Sequence, residues 1–218
     1  LELMKTRVVP KNSKKIPDNS TYIFAKNQEV NEMNEYSLEL LDGQEYEFEA
    51  QVTCGNRENF KAPIDKKNGN VRNTRLQHKL KLKRGAEVML TVNLKTSDGL
   101  TNGAFGTVVD FKFDDKKTVK AVLVHFNNED VGREARKGHE YLHRKHGKVV
   151  IPIEKFKEPF PLGKNSGRGS SSAWAYQFPL RLAKAVTSHR VQGQTIKPPK
   201  TIVLDFRHAI RPAQAYVM

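Results

Sequence analysis

Apolar and polar positions follow two rhythms along this chain, and the rhythm changes twice. Thr21-Tyr22-Ile23-Phe24-Ala25 is a β-branched and aromatic run that stops at Asn27, a favourable helix N-cap. Beyond it Val30, Met33, Leu40 and Leu41 recur at near-helical spacing. Glu29 and Glu32 favour the positive end of a helix dipole, and Asp42-Gly43 ends the segment. A strand leading directly into a helix is the unit from which α/β sheets are built.

The helical rhythm then disappears. Ala86 to Val92, Phe105 to Phe111, Val119 to Phe126 and Lys148 to Ile153 are short β-prone runs, parted by turn signals such as Asn102-Gly103 and Asp114-Asp115. Such runs predict a small antiparallel barrel. Pro159 to Ser172 holds nine Pro, Gly or Ser residues in fourteen positions, the composition of a flexible connection. Helical character returns at Leu180 to His189, where Leu182, Ala183, Ala185 and Val186 form an apolar stripe. Thr201 to Phe206 has the continuous apolar and β-branched character of a buried parallel strand, and Pro212 suits the first position of a last helix. The expected organisation is α/β over 1–78, an inserted β-barrel over 79–158, a flexible linker over 159–176, and α/β again over 177–218.

Charge narrows the function. The 218 residues carry 38 Lys and Arg against 24 Asp and Glu, a net +14 that points to a polyanionic partner. Eight acids and one lysine lie between Lys26 and Glu49, whereas nine Lys and Arg and one acid lie between Lys61 and Arg84. This segregation predicts one basic face able to neutralise phosphates. The second basic run, Arg133 to Lys148, reads as a solvated loop. The single Cys54 excludes an internal disulfide, fits a reducing compartment, and reads as a structural thiol. No apolar run has the roughly 18–20 residues a membrane span needs, and no secretory leader is visible. The chain opens on Leu1 and closes on Ala215-Tyr216-Val217-Met218, so both ends look cut from something longer.

The densest chemistry is Thr187-Ser188-His189-Arg190-Val191-Gln192-Gly193-Gln194-Thr195, expected at a helix-to-strand turn on a sheet edge. Its donors, hydroxyls and glycine suit a phosphate backbone, and ligands favour such edges in open α/β sheets. An ordinary polar turn with a capping glycine is the plainer alternative.

From Gln177 to Thr195 the residues resemble motif V, with its preceding helix, of the RecD-like and Pif-type helicases of superfamily 1. Leu82 to Leu90, Asn93 and Gly99 to Gly106 resemble the opening strands of the SH3-like barrel inserted in those proteins. Phe24 to Asn34 is similar to the strand and helix before it, and Gln214-Ala215-Tyr216-Val217 to the start of motif VI. The resemblance implies a second RecA-like motor domain carrying that barrel, the C-terminal half of a 5′-to-3′ DNA helicase. It implies backbone contacts to single-stranded DNA from Thr187, His189, Arg190, Gln192 and Thr195, with Gln192 and Gly193 coupling to nucleotide state. Asn93, Asn102 and the basic Lys81, Lys83 and Arg84 would flank the DNA. Arg190 stands where many relatives have lysine.

What the sequence lacks is as telling. Gly163-Lys164-Asn165 departs from a phosphate-binding loop, because Glu158 occupies the earlier glycine position and Asn165 replaces Ser or Thr. No Asp-Glu pair follows an apolar strand, and the motif VI arginine lies past the last residue. ATP and Mg²⁺ are therefore expected only in a longer enzyme whose N-terminal RecA-like domain acts in cis. The chain alone should be an inactive, monomeric, intracellular fragment, placed in the nucleus rather than the mitochondrion, acting on single strands or junctions. The alternative is a non-catalytic single-strand-binding module. His139-Glu140-Tyr141-Leu142-His143 satisfies the zinc-peptidase pattern, but its flanks are basic and poor in apolar support, so no metal is expected. Trp174, Tyr176 and Phe178 alternate, a pattern that suits core packing or a face that stacks on bases.

Overall fold

A computed structural model describes residues 16–55, 60–161, 173–191 and 200–206. The chain divides into two compact units, one formed by 1–33 and 184–218 and the other by 34–183. The division groups residues 34–78 with the β-rich segment, so the boundary expected at 78 falls inside the second unit.

In the first unit a three-stranded parallel sheet is built around β1 (Thr21–Phe24). On one side of β1 lies β12 (Ala185–Thr187), in the register Tyr22↔Ala185, Ile23↔Val186, Phe24↔Thr187. On the other lies β13 (Ile202–Leu204), with Tyr22 opposite Val203 and Ile23 opposite Leu204. Helix α1 (Asn27–Glu39) leaves β1 after only Ala25 and Lys26, and its Val30 and Met33 pack with Phe24 and Ala185. Two expectations change. Leu180 to Thr187 is not a helix but two short strands and a turn, with helix beginning only at Ser188, because its Leu and Ala positions are largely buried and leave no polar face. β13 is parallel as expected, yet it is half-exposed, with Ile202 at 42%.

The second unit is dominated by a five-stranded antiparallel sheet. Its order is β11 (Leu180–Leu182), β5 (Glu87–Leu90), β6 (Phe105–Phe113), β7 (Val119–Phe126) and β8 (Ile151–Glu154). Apolar alternation drives it: Val88, Leu90, Val108, Val122, Val124, Ile151, Ile153 and Leu180 form one cluster, joined by Phe111, Phe126 and Phe178. Each such side chain contributes about 1.5–3 kcal/mol when fully buried. Gly106 is required where β6 meets β7, since a Cβ there would lie 2.6 Å from a Val124 methyl and 2.7 Å from the His125 carbonyl oxygen.

Two smaller sheets complete the unit. The pair β2 (Tyr46–Glu49) and β4 (Lys79–Leu82) is antiparallel. The other sheet joins β3 (Gln51–Cys54), β10 (Ala173–Gln177) and β9 (Phe156–Phe160). The expected linker over 159–176 is therefore ordered at both described ends, where alternating burial commits Phe160, Ala173 and Ala175 to a core with Cys54. Gln177, fully buried, closes this region: its Nε2 donates to the Phe48 and Gln77 carbonyls, and its Oε1 accepts from the Phe178 N–H.

Asp98, also buried, fixes the loop that follows β7. Its carboxylate accepts the N–H groups of Glu134 and Ala135, each at 2.8 Å. Burial opposes the charge, but those two donors, with Lys95 and Arg136 nearby, outweigh it and hold the carboxyl below its ordinary range. A depressed folded value gives stability that is present above the unfolded value and is lost as pH falls through the folded one. In urea titrations across the acid range, Asp98→Asn should therefore flatten the loss of stability below about pH 4. At neutral pH the same substitution should cost about 1.5–3 kcal/mol, the range for hydrogen bonds to a charged group. A variant with wild-type acid behaviour would show that this carboxylate does not anchor the loop. Among the described residues, no helix is long and apolar enough to cross a membrane.

Candidate nucleic-acid interface

Parallel pairing brings the carboxyl ends of β12, β1 and β13 to one edge of the first unit's sheet. Thr187 ends β12 opposite Phe24, the last residue of β1, and the Asp205 N–H just past β13 donates to the Ile23 carbonyl. Ligands of open parallel sheets bind outside such carboxyl ends. The chain turns there into a short helix, α3 (Ser188–Val191), carrying His189 exposed and Arg190 half-buried. Burial pulls the Arg190 guanidinium below its ordinary value, although an arginine stays charged in any protein setting. Among the described residues, the buried Ser188 hydroxyl has no hydrogen-bond partner. Thr187, His189 and Arg190 thus share one edge, while Gln192, Gly193 and Thr195 lie outside the described residues. The same edge adds Lys26, exposed at the end of β1, which the sequence reading passed over. Its signal was the two-residue step from strand to the Asn27 cap.

Asn93 and Asn102 are also brought together. The Asn93 side-chain oxygen accepts the Asn102 N–H at 2.8 Å, and the next residue, Gly103, has φ +94° and donates to the Leu90 carbonyl. Asn93 therefore shapes the turn on which Asn102 stands exposed.

Part of the basic segment is paired within the protein. Rather than standing apart, the acidic segment pairs with the basic one: β2 runs along β4 with Glu47 opposite Lys81 and Glu49 opposite Lys79. Lys79 lies 3.5 Å from Glu47, and Lys81 lies 3.4 Å from Glu45 and 3.7 Å from Glu47. The hydrogen bond to Glu45, backed by both acids, raises the Lys81 ammonium above its ordinary value. Lys83 donates to the Leu41 carbonyl, and Arg84 pairs with Asp110 at 2.5 Å. Cross-strand alternation explains why: opposite charges on facing strands attract, and like charges there repel. Lys81, Lys83 and Arg84 are thus already engaged within the protein.

Residues Glu140–His146 form helix α2 rather than a solvated loop, with Leu142 buried beside Leu123 and Val150. Both ring nitrogens of His143 are occupied: Nδ1 accepts the Val150 N–H, and Nε2 faces the Arg136 carbonyl, each at 3.3 Å. One neutral tautomer, with the proton on Nε2, satisfies both. His143 ties the loop at Arg136 to Val150, the residue before β8.

A nucleoside triphosphate needs a cradle of backbone N–H groups, usually glycine-rich, between a strand and a helix. The described strand-to-helix steps are Ala25-Lys26 and the direct passage from Thr187 to Ser188, neither of which holds a glycine, and Asp205 precedes Phe206 rather than a second acid. Gly163-Lys164-Asn165 and Gln214 to Val217 lie outside the described residues. The described residues do not fit ATP and Mg²⁺ by themselves.

Comparison with known proteins points one way. A family model described as "DNA helicase Pif1, 2B domain" matches residues 71–111. The ATP-dependent DNA helicase Pif1 of Campylobacter jejuni is 24% identical over 211 residues, which is 97% of this chain and 42% of that protein. The Pif1 helicase of Candida albicans superposes with a TM-score of 0.62 at 25% identity, over 93% of this chain and 43% of that one. Bacteroides Pif1 bound to single-stranded DNA gives 0.59 at 20% identity, over 93% and 38%. The chain spans less than half the length of each of these relatives. It resembles the C-terminal portion of Pif1-type helicases.

Proposed function

We propose, from this similarity, that the chain is the C-terminal motor portion of an ATP-dependent 5′-to-3′ DNA helicase, the part that grips single-stranded DNA. The observation that carries the reading is the pairing of Thr187 with Phe24, which sets Thr187, His189 and Arg190 at the carboxyl edge of a parallel sheet. In this reading the parallel sheet is the second RecA-like domain and the five-stranded sheet an inserted SH3-like barrel. Thr187, His189, Arg190, Gln192 and Thr195 hold the DNA backbone, and Lys26 adds charge beside them. Gln192 and Gly193 transmit nucleotide state. Asn102, on the turn held by Asn93, flanks the strand, while Lys81, Lys83 and Arg84 contribute only to the general field.

ATP and Mg²⁺ belong to an N-terminal RecA-like domain acting in cis, so the 218-residue chain should release no phosphate from ATP. The reading makes the fragment a monomer that works where DNA is kept, in the nucleus. The relative crystallised on single-stranded DNA supports the choice of ligand.

The test is the salt dependence of binding to a fluorescein-labelled single strand. With about three to four phosphates neutralised and a slope near −0.7 per phosphate, affinity should fall about twenty- to fiftyfold between 50 and 200 mM salt. Affinity independent of salt would overturn the electrostatic grip.

A further inference from the structure

We infer that the outward face of the β3-β10-β9 sheet is a stacking platform for unpaired bases, with Trp174 and Tyr176 as its rings. The inference rests on the single-strand reading above, but it uses a different surface in the second unit. Strand alternation splits this sheet cleanly. Ala173, Ala175 and Cys54 point inward to a core with Phe160, whereas Trp174 and Tyr176 point the other way and are only half-buried. Register fills in the outward face: Trp174 sits between Thr53 and Pro159, and Tyr176 between Gln51 and Lys157. The rings therefore do not serve the core described behind the sheet.

The cover they do have is cationic. The Lys157 ammonium stands 4.2 Å from the Trp174 ring centroid and 5.3 Å from that of Tyr176. Among the described residues it has no carboxylate partner within ion-pair distance, in contrast to Lys79 and Lys81 on β4. None of the six outward positions, Gln51, Thr53, Lys157, Pro159, Trp174 and Tyr176, is acidic. The neighbouring Glu158 faces the other way and pairs with Arg75.

An exposed cation–π contact is weak enough to be exchanged, and the released ammonium would meet a phosphate. Alternate side chains on a strand are roughly 6.5–7 Å apart. That is about twice the rise of roughly 3.4 Å per nucleotide in a helical strand, so a stretched single strand can lay one base on each ring. Every base has a π-face, so the platform would be tolerant of sequence.

Trp174 is the sole tryptophan of the chain, so its emission reports on this face alone. The full chain is titrated with labelled oligothymidylate while strand anisotropy and tryptophan emission are followed together. A second titration uses an abasic strand with the same number of phosphates. The platform requires emission to fall with the anisotropy midpoint for oligothymidylate and to stay level for the abasic strand. Tyr176→Leu, which keeps the sheet face apolar, should weaken oligothymidylate binding about tenfold, the scale of one base–aromatic stack. Its affinity for the abasic strand should not change. Rising anisotropy with constant emission, or equal quenching by both strands, overturns the platform and leaves the single-strand reading standing. Absence of any anisotropy change overturns both.

Discussion

Phe178→Ala should lower the unfolding free energy of the β-rich unit by about 3–5 kcal/mol, the usual cost of emptying a buried aromatic site. Phe178 is fully buried, meets Phe48 edge-on at a centroid distance of 4.9 Å, and belongs to the cluster that includes Leu180, Leu82 and Val88. Its backbone N–H is held by Gln177, whose amide also fixes β2, so the walls of the vacated site have little freedom to collapse. Domains are typically stable by about 5–15 kcal/mol, so the loss is a large part of the total. Urea unfolding followed by circular dichroism measures it. Phe178→Leu, which refills much of the volume, should recover most of the loss. A cost below about 1 kcal/mol for the alanine variant would mean that the cluster is not close-packed there.

The second large effect concerns binding. Arg190→Ala should weaken single-strand affinity about tenfold at low salt, on the scale of a lost charge-assisted contact. The physical basis is desolvation. Among the described residues burial is the one cause of the shift at Arg190, and no charge offsets it. A half-buried cation without compensation is costly in the free chain, and a phosphate at the carboxyl edge of the sheet would relieve that cost. Two corollaries separate this role from a merely structural one. Arg190→Ala should leave the urea midpoint unchanged or raise it, because a desolvated charge has been removed. Lys120→Ala, on an exposed strand position of β7, should change affinity less than twofold. Equal effects from the two substitutions would reduce Arg190 to one charge among many.

Local patterns carried much of the fold. The strand at Thr21, the helix after Asn27 and the antiparallel runs of the middle segment are legible because each has one buried face and a period that betrays it. The segment from Leu180 to Thr187 was not legible. Burial on all sides erases periodicity, and only pairing with Leu90, Met89 and Val88 on one side and with β1 on the other makes two strands of it. The buried helix positions are Val30, Asn34 and Leu38, one every fourth residue, whereas Leu40 lies past the last helical residue and is exposed. The pairing of the basic segment was illegible for a different reason. Charge segregation along a sequence says nothing about which strands will pair, and β2 beside β4 cancels much of what seemed free. In the candidate interface, Thr187 and Arg190 are named by their motif. Lys26 needed the sheet register to appear beside them.

The carboxyl edge of the parallel sheet is the heart of the proposal, and hydrogen exchange with and without a saturating single strand addresses it directly. Peptides spanning Phe24 to Asn27 and Ala185 to Val191 should exchange more slowly when the strand is bound, and the change should shrink at higher salt in step with affinity. Saturating binding that leaves both peptides exchanging at their free rates would contradict the proposed grip.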